Sequence, residues 1–131
     1  MTITERAEKA VEYKANGNNC CQAVALALAD QTPFSPEKLR AIAAGFGGGM
    51  GNMQGTCGAL VGAGIIAGIK TNGEKTVPIA RQISEKFQEK SGAVICKELK
   101  AKDPVTGKVK TPCDDCVRNA VYAYCEVMNL N

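Results

Sequence analysis

Cysteine thiols are the side chains through which this chain could do chemistry. The sequence has 131 residues with no His and no Trp, and its seven cysteines are Cys20, Cys21, Cys57, Cys96, Cys113, Cys116 and Cys125. Without imidazole there can be no Ser-His-Asp or Cys-His catalytic unit, no His metal ligand and no His-ligated haem. Any reaction must therefore use thiols, charged groups or the backbone.

Three groups of cysteines stand at predicted helix starts: Cys20 and Cys21 after Asn18-Asn19, Cys57 after Thr56, and Cys113 after Thr111-Pro112. Free amide N–H groups and the positive end of the helix dipole stabilise a thiolate there and lower its pKa. The same positions suit a metal-bound thiolate. We expect Cys57 to be the most reactive thiol, because Gly58 and the glycine-rich segment before it leave its backbone open. Cys125 is interpreted as a small buried hydrophobe.

Cys113 and Cys116 form a Cys-x-x-Cys motif with Asp114 and Asp115 between them. A thioredoxin-like site would need a strand before this motif, and c-type haem attachment would need a His after it. A simple four-thiolate zinc site is disfavoured, because the chain's other close pair is directly adjacent in sequence. The two aspartates oppose thiolate formation and favour a bound cation. We therefore expect an auxiliary pair that resolves disulfides or binds metal.

Helix signals cover almost the whole chain. Thr2 with Glu5 is typical of a capping box, and Ser35 with Pro36 is typical of a helix start. Apolar periodicity predicts helices over about 3–15, 20–29, 36–44, 57–69, 76–91, 93–99 and from 112 onwards, with caps at Thr56, Thr76 and Thr111. We expect an all-α fold, a compact bundle of about five to six helices in a single domain over 1–131.

The segment from Gly45 to Gly55 is so rich in glycine that we expect a loop without regular structure, lying before a central buried helix. It matches neither Gly-x-Gly-x-x-Gly nor a phosphate-binding loop, and it follows a predicted helix where both motifs follow a strand. A tight packing loop is therefore favoured over a phosphate site. The segment from Lys100 to Lys110 is expected to be a basic surface loop.

Charge and composition narrow the class of protein. The net charge is +3, and the three Phe and three Tyr form no stripe with basic residues, so no nucleic-acid role is indicated. The most apolar stretch, Cys57 to Ile69, is shorter than the ~20 residues that a membrane span needs. The first residues lack the apolar core of an export signal. We expect a cytoplasmic protein, where disulfides are disfavoured.

Four blocks of the sequence resemble the bacterial C_GCAxxG_C_C family of redox-active proteins. The blocks are Asn19-Cys20-Cys21-Gln22-Ala23-Val24, Cys57-Gly58-Ala59-Leu60-Val61-Gly62-Ala63, Cys96-Lys97-Glu98-Leu99, and Cys113 leading into Val117-Arg118-Asn119-Ala120. The resemblance covers about positions 16–125. It implies a helical protein that is redox-active or binds an iron–sulfur cluster, with Cys20, Cys57, Cys96 and Cys113 as its four cysteines. Cys21 stands where the family has a small residue, and Cys116 is an alternative to Cys113.

Two functions from different classes follow. In the first, Cys20, Cys57, Cys96 and Cys113 carry out thiol–disulfide chemistry as a thiol-based oxidoreductase, with a redox partner protein or a small-molecule oxidant. In the second, these four residues and Cys116 hold an iron–sulfur cluster or a soft metal ion, for electron transfer or metal handling. A structural helical protein with inert thiols is the third alternative. The first two predict that the cysteines converge in space.

Overall fold

The computed structural model describes residues 1–130, and over these residues the chain is helical, with two isolated β-bridges and no strand. The α-helices of this part of the chain are α1 Ile3–Ala15, α2 Cys20–Ala27, α3 Pro36–Ala43, α4 Gly58–Lys70, α5 Thr76–Ser91, α6 Cys96–Leu99 and α7 Cys113–Val127. The all-α class is confirmed. Within this part of the chain the seven helices correspond to the seven predicted ranges and exceed the expected count of about five to six.

The first three helices begin where local side-chain chemistry predicts. Thr2 and Glu5 form the expected capping box at α1, and Asn19 and Gln22 form another at α2. The Ser35 hydroxyl caps α3. Each cap satisfies backbone N–H groups that would otherwise lack a partner at a helix start. The cap at α2 also fixes its first helical residue, which is a cysteine.

The threonine caps predicted for the other three long helices are wrong. Thr76 is the first residue of α5, Thr56 forms a β-bridge with Ile95, and the Thr111 hydroxyl donates to the Ser91 carbonyl at 2.6 Å. These threonines therefore serve contacts between segments. The residues found at the N-cap positions of α4, α5 and α7, without a side-chain cap hydrogen bond, are Cys57, Lys75 and Pro112.

Helices α2, α4 and α7 pack against one another, α1 lies against α2 and α7, α5 lies against α4 and α7, and α3 covers α2. Glycines set how closely α2 and α4 approach. A Cβ atom added at Gly62 would lie 2.7 Å from the backbone oxygen of Cys21, and one added at Gly58 would lie 3.3 Å from the Cys21 backbone nitrogen. The first turns of both helices are therefore held in close contact. The largest fully buried side chains are Tyr124, Phe87, Leu28, Leu39, Ile66 and Ile83.

The glycine-rich segment holds more structure than expected. It contains a 3-10 turn over Ala44–Phe46 and a π-helical turn over Gly49–Met53. Left-handed backbone at Met50 and Gly51 interrupts the π turn. Gly49 has a φ of +58°, and a Cβ atom there would lie 2.5 Å from the Cβ atom of Cys96. Glycine is needed at this position both for its conformation and to leave room for the cysteine.

No helix between residues 1 and 130 is both long and apolar enough to cross a membrane.

Candidate functional site

The first turns of α2 and α7 bring two partly exposed cysteines together. Cys20 is the first residue of α2, and Cys113 is the first residue of α7. The two thiols interact with each other. We call these two residues the outer pair, because both sulfurs belong to side chains that solvent reaches.

The interaction between the two thiols gives the sulfurs of the outer pair different protonation states. It lowers the pKa of Cys113 to about 5, although burial acts in the opposite direction. It raises the pKa of Cys20 far above the ordinary thiol value, and burial adds to this. At neutral pH Cys113 is therefore a thiolate and Cys20 a thiol. A thiolate is the nucleophilic form of cysteine.

Cys57 and Cys116 form a second pair, here called the inner pair, with 2% and 0% of their surfaces exposed. The Cys116 thiol donates a hydrogen bond to the Thr111 carbonyl at 3.7 Å, and its sulfur also interacts with the Cys57 sulfur. This interaction, helped by the N–H groups of Ala59 and Leu60, lowers the pKa of Cys57 to about 7. The same interaction and burial raise the pKa of Cys116. The inner pair thus combines a low-pKa and a high-pKa thiol, as the outer pair does, out of contact with solvent.

Backbone hydrogen bonds fix the segments that carry two of these cysteines. The N–H of Cys57 donates to the carbonyl of Val94 at 2.7 Å, and the N–H of Cys96 donates to the carbonyl of Gly55 at 3.0 Å. These two hydrogen bonds therefore hold Cys57, at the start of α4, next to Cys96, at the start of α6.

Lys100 supplies positive charge to both pairs. Its Nζ lies 3.7 Å from the Cys116 sulfur, and its ammonium group also interacts with Cys113. Burial opposes the charged form, but these thiol contacts outweigh burial and raise the pKa of Lys100. The residue lies directly after α6, whose last residue, Leu99, accepts a hydrogen bond from the N–H of Thr111 at 3.0 Å. This contact joins the end of α6 to the start of α7.

Lys100 was expected in a surface loop and not among the site residues. In the structure its side chain is half-buried. The signal that could have found it is its position four residues after Cys96, one helical turn further along α6.

The expected effect of Asp114 and Asp115 on the Cys-x-x-Cys motif is wrong for Cys113. Asp114 pairs with Lys14 at 3.4 Å, and Asp115 pairs with Arg118 at 3.0 Å. Because both carboxylates face cations, they do not prevent thiolate formation at Cys113. The two cysteines of the motif also have separate partners, each on another helix.

The remaining cysteines are protonated. Burial raises the pKa of Cys96, which lies near the thiolates of both pairs, and raises that of Cys21 to about 12. Cys125 lies apart, next to Arg6 and Asp30, and burial raises its pKa to about 11. Among the sequence-predicted site residues, the structure thus pairs Cys20 with Cys113 and Cys57 with Cys116, and Cys96 lies close enough to Cys57 and Cys113 for their charges to affect its pKa.

Within residues 1–130, no group of three or more Cys, Asp or Glu side chains is placed to hold a metal ion. Four ligands are usual for a structural zinc ion or an iron–sulfur cluster. The sulfurs are arranged as pairs, and the ammonium group of Lys100 lies beside them.

Comparison with protein families places these cysteines in a known pattern. The family model described as "Putative redox-active protein (C_GCAxxG_C_C)" matches residues 18–127. The chain belongs to this family. The match includes all seven cysteines and confirms the resemblance carried by the four sequence blocks. No curated protein and no solved structure matches the chain significantly. The outer pair and the inner pair therefore both lie within the part of the chain that matches the C_GCAxxG_C_C family model.

Proposed function

We propose that this member of the C_GCAxxG_C_C family is a thiol-based redox protein, in which Cys113 attacks a disulfide and Cys20 resolves the product. The observation that carries this proposal is the outer pair, in which a partly exposed thiolate lies next to a protonated thiol. The family's description as redox-active supports it. Thiol exchange needs only two sulfurs within reach, and the outer pair supplies them.

The reaction balances with the two protonation states of the outer pair. The Cys113 thiolate attacks one sulfur of a substrate disulfide, and the other substrate sulfur leaves as a thiolate. The Cys20 thiol then attacks the Cys113 sulfur of this mixed disulfide. The proton of Cys20 passes to the substrate sulfur that was bonded to Cys113, and this sulfur leaves as a thiol. The substrate disulfide gains two electrons, and Cys20 and Cys113 lose them as their disulfide forms.

Cys113 is favoured over Cys57 as the attacking residue. A nucleophile for an external disulfide must be reached from solvent, and Cys113 is partly exposed whereas Cys57 is 2% exposed. Positive charge from Lys100 and Lys14 also stabilises the Cys113 thiolate. Cys57 and Cys96 are proposed to support the redox site from inside the protein.

The partner that fits this chemistry is a disulfide, carried by a small molecule or by another protein. Because one pair exchanges two electrons, the reverse reaction would reduce the chain again through a dithiol. Such a cycle suits the cytoplasm, where thiols are kept reduced. Metal handling is the less favoured function, because the structure shows paired sulfurs and a neighbouring lysine where a ligand set would be needed.

Oxidation of the reduced chain with glutathione disulfide tests this proposal. Alkylation of free thiols followed by peptide mass mapping should show a disulfide between Cys20 and Cys113. The variant Cys113→Ser should not form it, whereas Cys125→Ala, which changes a cysteine outside the site, should. Both outer cysteines remaining free at high oxidant would overturn the proposal. Stoichiometric iron or zinc in anaerobically purified protein would favour the metal alternative.

A further inference from the structure

The inner pair is a dithiol that solvent does not reach. Cys57 and Cys116 are almost fully buried, yet their sulfurs interact with each other, and the Lys100 ammonium lies 3.7 Å from the Cys116 sulfur. A buried cysteine in an apolar core would have no need of either. An external disulfide could not approach these sulfurs, so any oxidation of them must come through another group of this chain.

The outer pair is placed to be that group. Close contact between α2 and α4, at Gly58 and Gly62, holds the first turn of α2 against the first turn of α4. Cys20 lies in the first of these turns and Cys57 immediately before the second, and Cys20 feels the charge of the Cys57 thiolate. The inner thiolate therefore has an outer sulfur as its neighbour.

We propose that the two pairs form a relay, in which a disulfide formed in the outer pair is passed to the inner pair. The inference rests on the proposed function, since the outer disulfide must form first. It adds that one chain stores the oxidation in a buried disulfide and returns the outer pair to its reduced state. A chain with both pairs oxidised would have lost four electrons relative to the reduced chain, two for each disulfide.

Each step of the relay uses a sulfur in the protonation state that the structure gives it. The Cys57 thiolate attacks the Cys20 sulfur of the outer disulfide, and the Cys113 thiolate leaves. The Cys116 thiol then attacks the Cys57 sulfur of the mixed disulfide, and its proton passes to the departing Cys20 sulfur. The products are a disulfide between Cys57 and Cys116, a Cys20 thiol and a Cys113 thiolate. No electron enters or leaves the chain.

The environment of the outer pair favours this direction. A thiolate of low pKa is a good leaving group, and Cys113 has the lowest pKa among the cysteines of the site. Its negative charge is then stabilised by the neighbouring Cys20 thiol and by Lys100. A pair whose reduced form is stabilised in this way is the more oxidising of two pairs in exchange. The disulfide therefore moves inward.

A time course of oxidation tests the relay in the unmodified chain. The reduced protein is mixed with one equivalent of glutathione disulfide, quenched at intervals with N-ethylmaleimide under denaturing conditions, and mapped by peptide mass. The disulfide between Cys20 and Cys113 should appear first and then decrease as the disulfide between Cys57 and Cys116 replaces it. The total should stay at one disulfide per chain.

Two variants identify the route. In Cys57→Ser the outer disulfide should persist, because no inner thiolate can attack it. In Cys116→Ser the mixed disulfide between Cys20 and Cys57 should accumulate, because the resolving thiol is missing. The variant Cys125→Ala is the matched control and should follow the time course of the unmodified chain.

The results separate failure of the relay from failure of the proposed function. An outer disulfide that persists in the unmodified chain, with Cys57 and Cys116 still alkylated after the denaturing quench, overturns the relay alone. An inner disulfide that forms in Cys113→Ser as fast as in the unmodified chain also overturns it, because oxidation would then be direct. If no outer disulfide forms at any time, the proposed function itself fails.

Discussion

Cys20 and Cys113 interact at the junction of α2 and α7, and their opposite pKa shifts divide the roles of the two residues. The raised pKa keeps the Cys20 thiol protonated, and the lowered pKa makes Cys113 anionic at neutral pH. The pair therefore carries one negative charge at neutral pH, which Lys100 and Lys14 face. A nucleophile and a resolving thiol are distinguished before any substrate arrives.

The first prediction concerns the order in which the thiols react. Because the pKa of Cys113 is lowered to about 5 and its side chain is partly exposed, Cys113 should be alkylated at mildly acid pH, near about 6, before any other cysteine. Cys125 should be among the last, since it is buried and its pKa is raised to about 11. Timed iodoacetamide labelling of the reduced chain, read by peptide mass, measures this order. Labelling of Cys57 first would support the sequence-based expectation and contradict this one.

The second prediction isolates the charge of Lys100. The variant Lys100→Met removes a cation that stabilises the Cys113 thiolate, so the alkylation rate of Cys113 at pH near 6 should fall roughly two- to tenfold. Lys97→Met removes an exposed lysine from the same short helix and should leave the rate unchanged. The variant Lys100→Arg keeps the charge and should lie closer to the original chain. Equal rates in Lys100→Met and Lys97→Met would show that Lys100 does not act on the site.

Local sequence signals predicted the elements well where the chemistry is local. The capping boxes at Thr2 and Asn19 need only residues three positions apart, and both form. Thr111 fails as a cap because its hydroxyl donates to Ser91, which is twenty positions away in sequence. A distant carbonyl that competes for a hydroxyl is not visible in a local pattern.

The cysteine pairing shows the same limit at the site. The spacing of Cys113 and Cys116 indicated that they were partners of each other. In the structure their partners are Cys20 and Cys57, which come from helices far away in sequence. The four ordered blocks predicted the family to which the chain belongs. Only the packing of α2, α4 and α7 decides which sulfurs meet, because pairing depends on the relative rotation of the helices.

The third prediction is that the reduced protein is most stable near about pH 8 to 9. The pKa of Cys113 is about 5 in the folded chain against an ordinary value near 9.0, so its contribution is complete above the ordinary value and is lost as the pH falls through about 5. Cys57, with a pKa of about 7, adds to the loss on the acid side. On the alkaline side Cys20 and Cys116 have raised pKa values, so the unfolded chain releases protons that the folded chain keeps. Stability then falls as the pH rises above the ordinary thiol value.

Thermal unfolding of the reduced protein across this pH range measures the effect. The Tm should fall on both sides of its maximum, by on the order of 5 °C at about pH 5. Cys113→Ser removes the group that loses its charge and should show a flatter acid side. An acid side of the same slope in this variant would mean that other groups control the pH dependence.

The fourth prediction tests the contact that brings Cys20 to Cys57. A methyl group added at Gly62 would lie 2.7 Å from the Cys21 backbone oxygen and 3.1 Å from the Val24 Cβ atom, so α2 would have to move away from α4. Gly62→Ala should lower the free energy of unfolding by roughly 1–3 kcal/mol, as overpacking does. A Cβ atom at Gly64, on the same helix, meets nothing within 4 Å. Gly64→Ala should therefore raise the free energy of unfolding by roughly 0.5–1 kcal/mol, because alanine favours a helix over glycine.

Urea unfolding of the two reduced variants, followed by circular dichroism, gives both free energies. The comparison of Gly62→Ala with Gly64→Ala also tests the relay, since displacement of α2 separates the Cys20 sulfur from Cys57. Gly62→Ala should slow the appearance of the inner disulfide after the outer one has formed, whereas Gly64→Ala should not. If Gly62→Ala were as stable as Gly64→Ala, the close approach of α2 to α4 would not depend on glycine. This explanation for the proximity of Cys20 to Cys57, on which the relay depends, would then be wrong.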